Sequence, residues 1–288
     1  MRTEKIVCNI CDTDKYEKRM YKINSGFLVK CSNCGLFYAN PRRMDIIKEV
    51  LEDKTKKERT SGKKLNLKGR LYEFNTVLDR IQAVKPQGGR ILDVGCYDGI
   101  FLNEARKRKW DCHGVEPHIG GARYAREELK LDVQQCVLEK CSFKDKSFDA
   151  VTLLATLEHH PNPLKTLKEA KRFLKPDGLL VISVPTIPFY LNLVRSRWRM
   201  FIGDHYTFFT DDSMKRLLGK SGYRLLSAGY VTKSVDMETI SARLSSDWQP
   251  YNIGPLGRFF TKFVEVSRLG GVRFTVNPYD MKIYLAQI

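Results

Sequence analysis

The sequence predicts an α/β protein, a doubly wound and mostly parallel sheet preceded by a small cysteine-rich module, and three observations carry that expectation. Residues 90–117 spell one strand–helix–strand unit. From Gly89 onward, apolar strands alternate with helical patterns. Four of the eight cysteines stand as two Cys-x2-Cys pairs near the N-terminus.

In chain order the cysteine pairs come first. Cys8-x2-Cys11 and Cys31-x2-Cys34 are separated by 19 residues, the two-knuckle spacing that delivers four thiolates to a tetrahedral, structural zinc ion. A module of about 40 residues is too small to bury an adequate core without a metal or disulfides. Nothing in the chain suggests the secretion that would favour disulfides. Gly35 assists the turn of the second knuckle, and Leu36–Arg42 reads as a closing strand and exit turn in which Pro41 prevents continuation. The module is assigned residues 1–45. Cys96, Cys112, Cys136 and Cys141 lack paired spacing and read as small apolar residues.

Residues 46–67 read as a basic linker, because the run from Lys54 to Lys68 holds few large apolar side chains. Leu71, Phe74, Val77, Leu78, Ile81 and Val84 then recur at helical spacing and predict a helix over 68–84 at the mouth of the ligand crevice. Ile91, Leu92 and Val94 make a short buried strand. Gly95 and Gly99 allow a tight turn and a close ligand approach, and Phe101, Leu102 and Ala105 open a helix whose first amide groups are free for an anion. Asp93 closes the first strand and Glu116 the second, where a carboxylate accepts both hydrogen bonds of a ribose diol. The unit departs from a dinucleotide fingerprint: Gly95 is followed by Gly99 with Tyr97 between, and no third glycine admits a pyrophosphate. Further elements are predicted as helix 99–109, strand 111–116, helix 119–129, strand 148–154, helix 163–174 and strand 178–184. Near the C-terminus, RFFTKFVEVSRL reads as an amphipathic helix and MKIYLAQI as a final sheet strand.

Charge is unevenly spread. The net value of +17 divides into +9 over residues 1–70, +2 over 71–185 and +6 over 186–288. A nearly neutral centre flanked by basic segments points to nucleic acid, anionic lipid or a phosphorylated substrate as a partner, with a plain lysine-rich surface as the alternative. No apolar run reaches membrane-spanning length and no signal sequence opens the chain, so the expected location is cytoplasmic.

LDVGCYDGIFL, then GVEP, then SFDAVTLLATLEHHPNPLKTLKEAKRFLKPDGLLVISVP resemble the class I S-adenosylmethionine-dependent methyltransferases, in the ubiquinone-type and sugar-tailoring branch. The resemblance covers roughly residues 68–230. It implies a Rossmann-like, seven-stranded sheet, with 231–288 as an extension completing it and 186–210 as a lid insertion. The cysteine pairs with their exit strand resemble the zinc ribbon that precedes such domains. The implied cofactor is S-adenosylmethionine: Gly95, Cys96, Tyr97 and Gly99 line its methionine end, and Asp93 and Phe101 are further cofactor-binding residues. Glu116 and Pro117 lie at the ribose, Val137 and Leu138 flank the adenine, and Leu154 and Ala155 form the pocket floor. Two departures stand out: Tyr97 sits where the family usually has glycine, and Val137 where many relatives carry an acidic residue.

Methyl transfer from a sulfonium is an in-line displacement, so the protein must align the acceptor and remove its proton when the nucleophile is a hydroxyl or carbon acid. Glu158 and His159 match the family's common pair after the fourth strand, while His160 stands at a place usually apolar. An imidazole titrates near neutral pH, and a purely structural role for Glu158 and His159 in positioning the loop competes with direct chemistry. His205, in the His-aromatic segment DHYTFFT, is the second candidate, with Thr210 as N-cap of the next helix. Arg195, Arg197 and Arg199 interleave with aromatics over 186–203 and suggest a lid touching phosphate or a lipid surface, against a plain surface helix. The leading expectation is O- or C-methylation of a small acceptor: a sugar nucleotide, glycan precursor or lipid-linked intermediate. An RNA methyltransferase using the ribbon and basic surface is the first alternative, and a non-catalytic cofactor-binding protein the second. Oligomeric state is not legible.

Overall fold

The computed structural model describes residues 2–23, 25–44, 67–194, 197–198, 200–201, 204–238, 240–241, 255–267 and 271–288. The linker expected over 46–67 lies outside these except for Leu67, as do Arg195 and Arg199.

Four N-terminal strands build one antiparallel sheet: β1 (Thr3–Glu4), β2 (Tyr16–Ile23), β3 (Gly26–Cys31) and β4 (Phe37–Arg43), in the order β1-β4-β3-β2. The expectation that Pro41 ends the closing strand is corrected here. β4 runs through Pro41 to Arg43, and its pairing with β3 slips between the Gly26↔Arg42 and Leu28↔Ala39 pairs. At such a bulge the strand needs no N–H from the proline, so Pro41 is accommodated instead of terminating. Gly26 makes the slip possible. Its φ is 143°, and a Cβ there would lie 2.1 Å from the Pro41 carbonyl oxygen.

The larger sheet follows α1 (Leu67–Val84), which spans the predicted helix. Its leading half is β5 (Arg90–Val94), α2 (Ile100–Lys107), β6 (Asp111–Val115), α3 (Ile119–Glu127) and β7 (Asp132–Gln134). The trailing half is β8 (Phe148–Leu154), α4 (Pro163–Phe173), β9 (Leu174–Pro185), the short α5 (Leu191–Val194), β10 (Thr207–Phe208), α6 (Asp211–Lys220) and β11 (Arg224–Tyr230). Beyond it lie β12 (Lys233–Asp236), α7 (Pro255–Val266), β13 (Arg273–Val276) and β14 (Met281–Gln287). Seven strands pair in the order β11-β14-β9-β8-β5-β6-β7. Contacts among β5 to β9 are parallel, and β14 is antiparallel to both of its neighbours. MKIYLAQI is therefore an interior strand. β12 and β13 form a separate antiparallel pair that no sequence signal announced.

Alternation along each strand explains how one sheet serves two cores. Leu92, Val94, Leu180, Ile182, Val184, Tyr284 and Ala286 face one side, where α4 and α6 pack with Leu167, Phe173, Met214 and Leu217. Ile91, Leu179, Val181, Ile283 and Leu285 face the other, against Leu78 and Ile81 of α1, Phe101 and Leu102 of α2 and Ala122 of α3. The helices start where their caps dictate. The Asn162 side chain accepts from Lys165 N ahead of Pro163, and Thr210 and Ser213 form a reciprocal capping box.

The two sheets are welded together. β10 adds to β4 through Thr207↔Tyr38 and Phe208↔Phe37, and the first core runs without a break from Cys8, Ile10, Val29 and Leu36 to Leu157, Phe209 and Met214. Truncating the fully buried Phe209 with Phe209→Ala is expected to cost about 3–5 kcal/mol, seen in calorimetry as one transition moved to lower temperature. Two separable transitions, only one of which moves, would contradict a common core.

Candidate functional site

Ligand crevices of parallel sheets open at the carboxyl ends of the strands, and here the loops leaving β5, β6 and β8 meet. The turn after β5 carries three residues with left-handed backbone: Gly95 at φ 75°, Tyr97 at 46° and Gly99 at 72°. Two are glycines, for which this region is unstrained. Tyr97 is held there by its environment. Its N–H donates to Glu116 Oε2 at 2.8 Å, while His118 N–H donates to Glu116 Oε1 at 2.7 Å. One carboxylate thus ties the β5 turn to the β6 turn. Each of its oxygens keeps a second lone pair, the acceptor set that a ribose diol requires. Burial pushes the Glu116 carboxyl upward against the pull of the two N–H groups.

The other residues expected around a cofactor fall into two groups. Tyr97, Pro117 and Leu154 are half-buried, and Val137 and Ala155 are exposed. All five have surface open to a ligand. Cys96, Phe101 and Leu138 turn their side chains into the cores, so Leu138 offers only its backbone to the crevice. Asp93 sits beneath the turn, buried, accepting from Thr152 Oγ1 at 2.6 Å, with its carboxyl raised to about 7 chiefly by burial. Its bond joins the end of β5 to β8. Gly95 has a packing duty as well, because a Cβ there would come within 2.6 Å of Thr156 Cγ2, on the loop after β8.

That loop brings the three expected catalytic residues together with unequal access. Glu158, His159 and His205 place one ligand atom each within 4.8 Å of one another. Glu158 and His205 are buried, whereas the His159 side chain keeps 32% of its surface. His159 Nδ1 lies 3.1 Å from the Asp204 carbonyl oxygen and 3.4 Å from Asp204 Oδ2. A proton on Nδ1 satisfies this carbonyl and leaves a lone pair on Nε2. The His159 and His205 rings meet edge to face at 4.6 Å. Neither Glu158 oxygen accepts a hydrogen bond among the described residues, and the nearest partner, His205 Nε2, is 3.9 Å away. Burial accordingly drives the Glu158 carboxyl up to about 7 and the His205 ring down to about 3. His160 turns toward Thr166 Oγ1 at 3.0 Å, and burial lowers its ring to about 4.

The cysteine knuckles grip this same loop. Asn9 Nδ2 and Arg42 Nη1 both donate to the Pro161 carbonyl, at 2.8 and 2.7 Å. Ser25 Oγ donates to the His205 carbonyl at 2.6 Å, and Ala39 N–H to that of Tyr206 at 2.9 Å. The four Sγ atoms of Cys8, Cys11, Cys31 and Cys34 lie within 4.8 Å of one another, the closest pairs 3.4 Å apart. That is far beyond a disulfide bond of about 2.05 Å. It is close to the spacing of about 3.8 Å that four thiolates take around an ion with zinc–sulfur bonds of about 2.3 Å. The residues present fit a tetrahedral zinc.

Several contributors were not legible in advance. Arg70 of α1 makes a two-pronged pair with Asp98 in the β5 turn, at 2.7 and 2.8 Å, and Asp98 also accepts from Ile100 N–H at 3.3 Å. The first helical N–H after the glycine turn is thereby taken by the protein itself. A basic residue at the start of the helix and an acidic one in the turn were the available signals. Their pairing needed the fold. Asp204, which orients His159, was visible only as the neighbour of His205. Arg197 is exposed beside the buried Trp198, and no described contact places it over the crevice.

Residues 67–228 match the family described as "Methyltransferase domain". Among curated proteins, the ubiquinone biosynthesis O-methyltransferase of Actinobacillus pleuropneumoniae serotype 7 is 33% identical over 106 residues, covering 33% of this chain and 45% of that enzyme. The enzyme of the same name from Nitrosococcus oceani is 36% identical over 102 residues, covering 33% and 43%. The chain thus spans less than half the length of these relatives. Among solved structures, a SAM-dependent methyltransferase from Archaeoglobus fulgidus superposes with a TM-score of 0.51 at 18% identity, covering 85% of this chain and 100% of that one. The Burkholderia thailandensis 1,6-didemethyltoxoflavin-N1-methyltransferase gives 0.54 at 14% identity, covering 94% and 99%. At such identities the likeness speaks for the fold. A family match over more than half of the residues, on a sheet of this strand order, shows that the chain belongs to the methyltransferase-domain family, among the class I S-adenosylmethionine-dependent methyltransferases.

Proposed function

We propose that the protein methylates a hydroxyl or carbon acid of a small, anionic acceptor, with S-adenosylmethionine as donor and a structural zinc in the ribbon. The observation that carries this reading is the meeting of Glu116 and the β5 turn with the half-exposed His159 at one end of the sheet. When bound, S-adenosylmethionine supplies a methyl group on a positively charged sulfur leaving group. The chain's own residues do the rest. The turn from Gly95 to Gly99 accommodates the methionine end, Glu116 accepts from the ribose hydroxyls, and Val137 with the Leu138 backbone borders the base. Leu154 and Ala155 form the floor. His159 Nε2 takes the acceptor's proton, and the charge that then develops on the ring is stabilised by Asp204 at 3.4 Å and by Glu158 beneath it. Glu158 and His205 are positioning residues, buried out of reach of an acceptor.

The basic flanks on a near-neutral centre favour a phosphorylated acceptor such as a sugar nucleotide, a glycan precursor or a lipid-linked intermediate. The O-methyltransferase relatives favour oxygen as the methylated atom. The decisive experiment incubates the protein with a metabolite extract and methyl-labelled S-adenosylmethionine and follows the label by mass spectrometry. Label in a phosphorylated small molecule is the expected result. Label confined to RNA, or no transfer at all, would overturn it.

Three outcomes follow from the geometry. Glu116→Ala removes the ribose acceptor and the brace on Tyr97, so S-adenosylmethionine affinity measured by titration calorimetry is expected to fall by at least about tenfold, as for loss of a charged hydrogen bond of 1.5–3 kcal/mol. Undiminished affinity would remove Glu116 from the site.

The pH dependence of Glu158 has a definite sign. Its carboxyl titrates at about 7 in the fold against 4.5 as the reference value. Between these values the folded chain holds a proton that the unfolded chain has released, and stability falls as pH rises through the window. Glu158→Gln lacks that titration. Its melting temperature relative to wild type is expected to rise between pH 5 and pH 8, equivalent to up to about 3 kcal/mol. A difference flat in pH would contradict a buried, uncompensated carboxyl.

Chelation should release one zinc per chain, read by metal analysis. Because the ribbon holds Pro161, His205 and Tyr206 in place, kcat is expected to fall much further than S-adenosylmethionine affinity. Equal loss of both, or zinc-free preparations of full activity, would refute a positioning role for the ribbon.

A further inference from the structure

We infer that Tyr279 and Phe189 form a stacking clamp for the nucleobase of a nucleotide-linked acceptor, on the rim of the crevice between the cofactor turn and His159. The inference rests on the methyl-transfer reading above and chooses among its acceptors. Described contacts trace this rim. Arg70 of α1 pairs with Asp98 in the β5 turn, and two residues further on Tyr72 Oη lies 3.4 Å from Thr232 Oγ1. Tyr230 meets Tyr279 with ring centroids 5.0 Å apart, Tyr279 meets Phe189 at 6.1 Å, and Phe189 meets Tyr190 at 5.3 Å. From there Ile187 N–H donates to the Phe209 carbonyl at 3.0 Å, in the segment that sets His205 against the His159 ring at 4.6 Å. The cofactor turn and the proton acceptor stand at the two ends of this arc. Aromatic residues occupy its middle.

The rings are held in place and left open. Tyr230 and Tyr279 cross at 75°, Phe189 and Tyr279 at 71°, and Phe189 and Tyr190 at 84°, so they touch by edges and leave π-faces uncovered. Phe189 is 84% exposed and Tyr279 45%. Tyr279 has a left-handed φ of 55°, a strained conformation for a side chain of this size. Its N–H donates to Asn277 Oδ1 at 2.9 Å, and Tyr190 Oη donates to the Pro278 carbonyl at 2.8 Å, which fixes the turn on both sides. Rings of fixed orientation with free faces suit a flat π-system. A flexible hydrocarbon chain would need no such alignment.

Distance selects the occupant. Met281 pairs with Pro185, and Ala155 N–H donates to the Ser183 carbonyl at 2.7 Å, so the ends of β14, β9 and β8 lie side by side. Two strand spacings separate the end of β14, beside Tyr279, from the end of β8, where the His159 loop begins, a gap of about 10 Å. A ring stacked on the clamp is therefore not the group that gives its proton to His159. The acceptor must carry a flat ring at one end and the methylated hydroxyl at the other. A sugar nucleotide meets this demand; a phenol methylated on its own ring does not.

The test titrates the full chain, with S-adenosylhomocysteine bound, by calorimetry. UDP-glucose is expected to bind at least about tenfold more tightly than glucose 1-phosphate, the same sugar and anion without a base. Tyr279→Leu and Phe189→Leu keep the apolar bulk and remove the π-face. Each should weaken UDP-glucose by about tenfold and leave glucose 1-phosphate unchanged, while Tyr279→Phe retains wild-type affinity. S-adenosylmethionine affinity and melting temperature should stay at wild-type values in all three variants, which separates loss of the clamp from loss of the fold. Equal affinity for the two probes, UDP-glucose binding indifferent to Tyr279→Leu, or 4-hydroxybenzoate binding with the same dependence on Tyr279 would overturn the inference. Transfer of label to a phosphorylated small molecule without a flat ring would also overturn it, and would leave the methyl-transfer reading standing.

Discussion

The carboxylate of Glu116 is the interaction on which the crevice depends. Two loops that leave neighbouring parallel strands have backbone N–H groups with no ladder partner, and in a buried setting such groups must be satisfied. Glu116 answers both at once, through Tyr97 and His118, and so sets the distance between the turns. It also explains how a tyrosine occupies a left-handed position better suited to glycine. The charge-assisted bond from the Tyr97 N–H offsets backbone strain of about 1–3 kcal/mol. Under the proposed function, the side chain that would offer lone pairs to a nucleoside is the one that holds the pocket's own backbone in shape.

A second dependency runs from the cysteine knuckles to the loop after β8. Loops carry chemistry in α/β folds, and they need an external frame to be precise. Here the frame is the N-terminal sheet. β4 takes β10 as an added strand, Asn9 and Arg42 clamp the Pro161 carbonyl, and Ser25 fixes the carbonyl of His205. With Cys8, Cys31 and Cys34 packed in the same core as Leu157 and Phe209, the knuckles act on the site through rigid contacts. The ribbon's small core is no longer a weakness once it is continuous with that of the larger sheet.

What the sequence made legible, and what it did not, divides along physical lines. Periodicity of apolar residues revealed the strands and helices of the large sheet, because alternation of two and recurrence at 3.6 are local properties. It also identified MKIYLAQI as a strand, and the hydroxyl ahead of a helical run identified Thr210 as a cap. Pro41 does not end β4, because a proline's missing N–H matters only if the partner strand asks for it, and the bulge opposite Gly26 does not. β10 is two residues long and exists only because β4 offers an edge. The Arg70–Asp98 pair joins residues 28 apart in sequence, and Asp204 became relevant only when its carbonyl met His159. The residue types of the candidate site could be read from the chain; which of them reach solvent, and which only support, is decided by packing.

That last distinction separates the trio Glu158, His159 and His205 by access to solvent. A proton acceptor must touch its substrate, and only His159 has open surface. The buried pair is costly: a carboxyl with no hydrogen bond among the described residues, beside a neutral imidazole, is a deficit that burial of apolar groups would not create. Such a deficit persists where it serves the neighbouring group. Glu158 Oε1 lies 3.9 Å from His205 Nε2, and charge on His159 pulls the Glu158 carboxyl down while its own burial pushes it up. The two tendencies oppose each other. The buried carboxyl is coupled to the exposed ring through charge, and under the proposed function this coupling would let a residue sealed from the acceptor still bear on the proton it gives up.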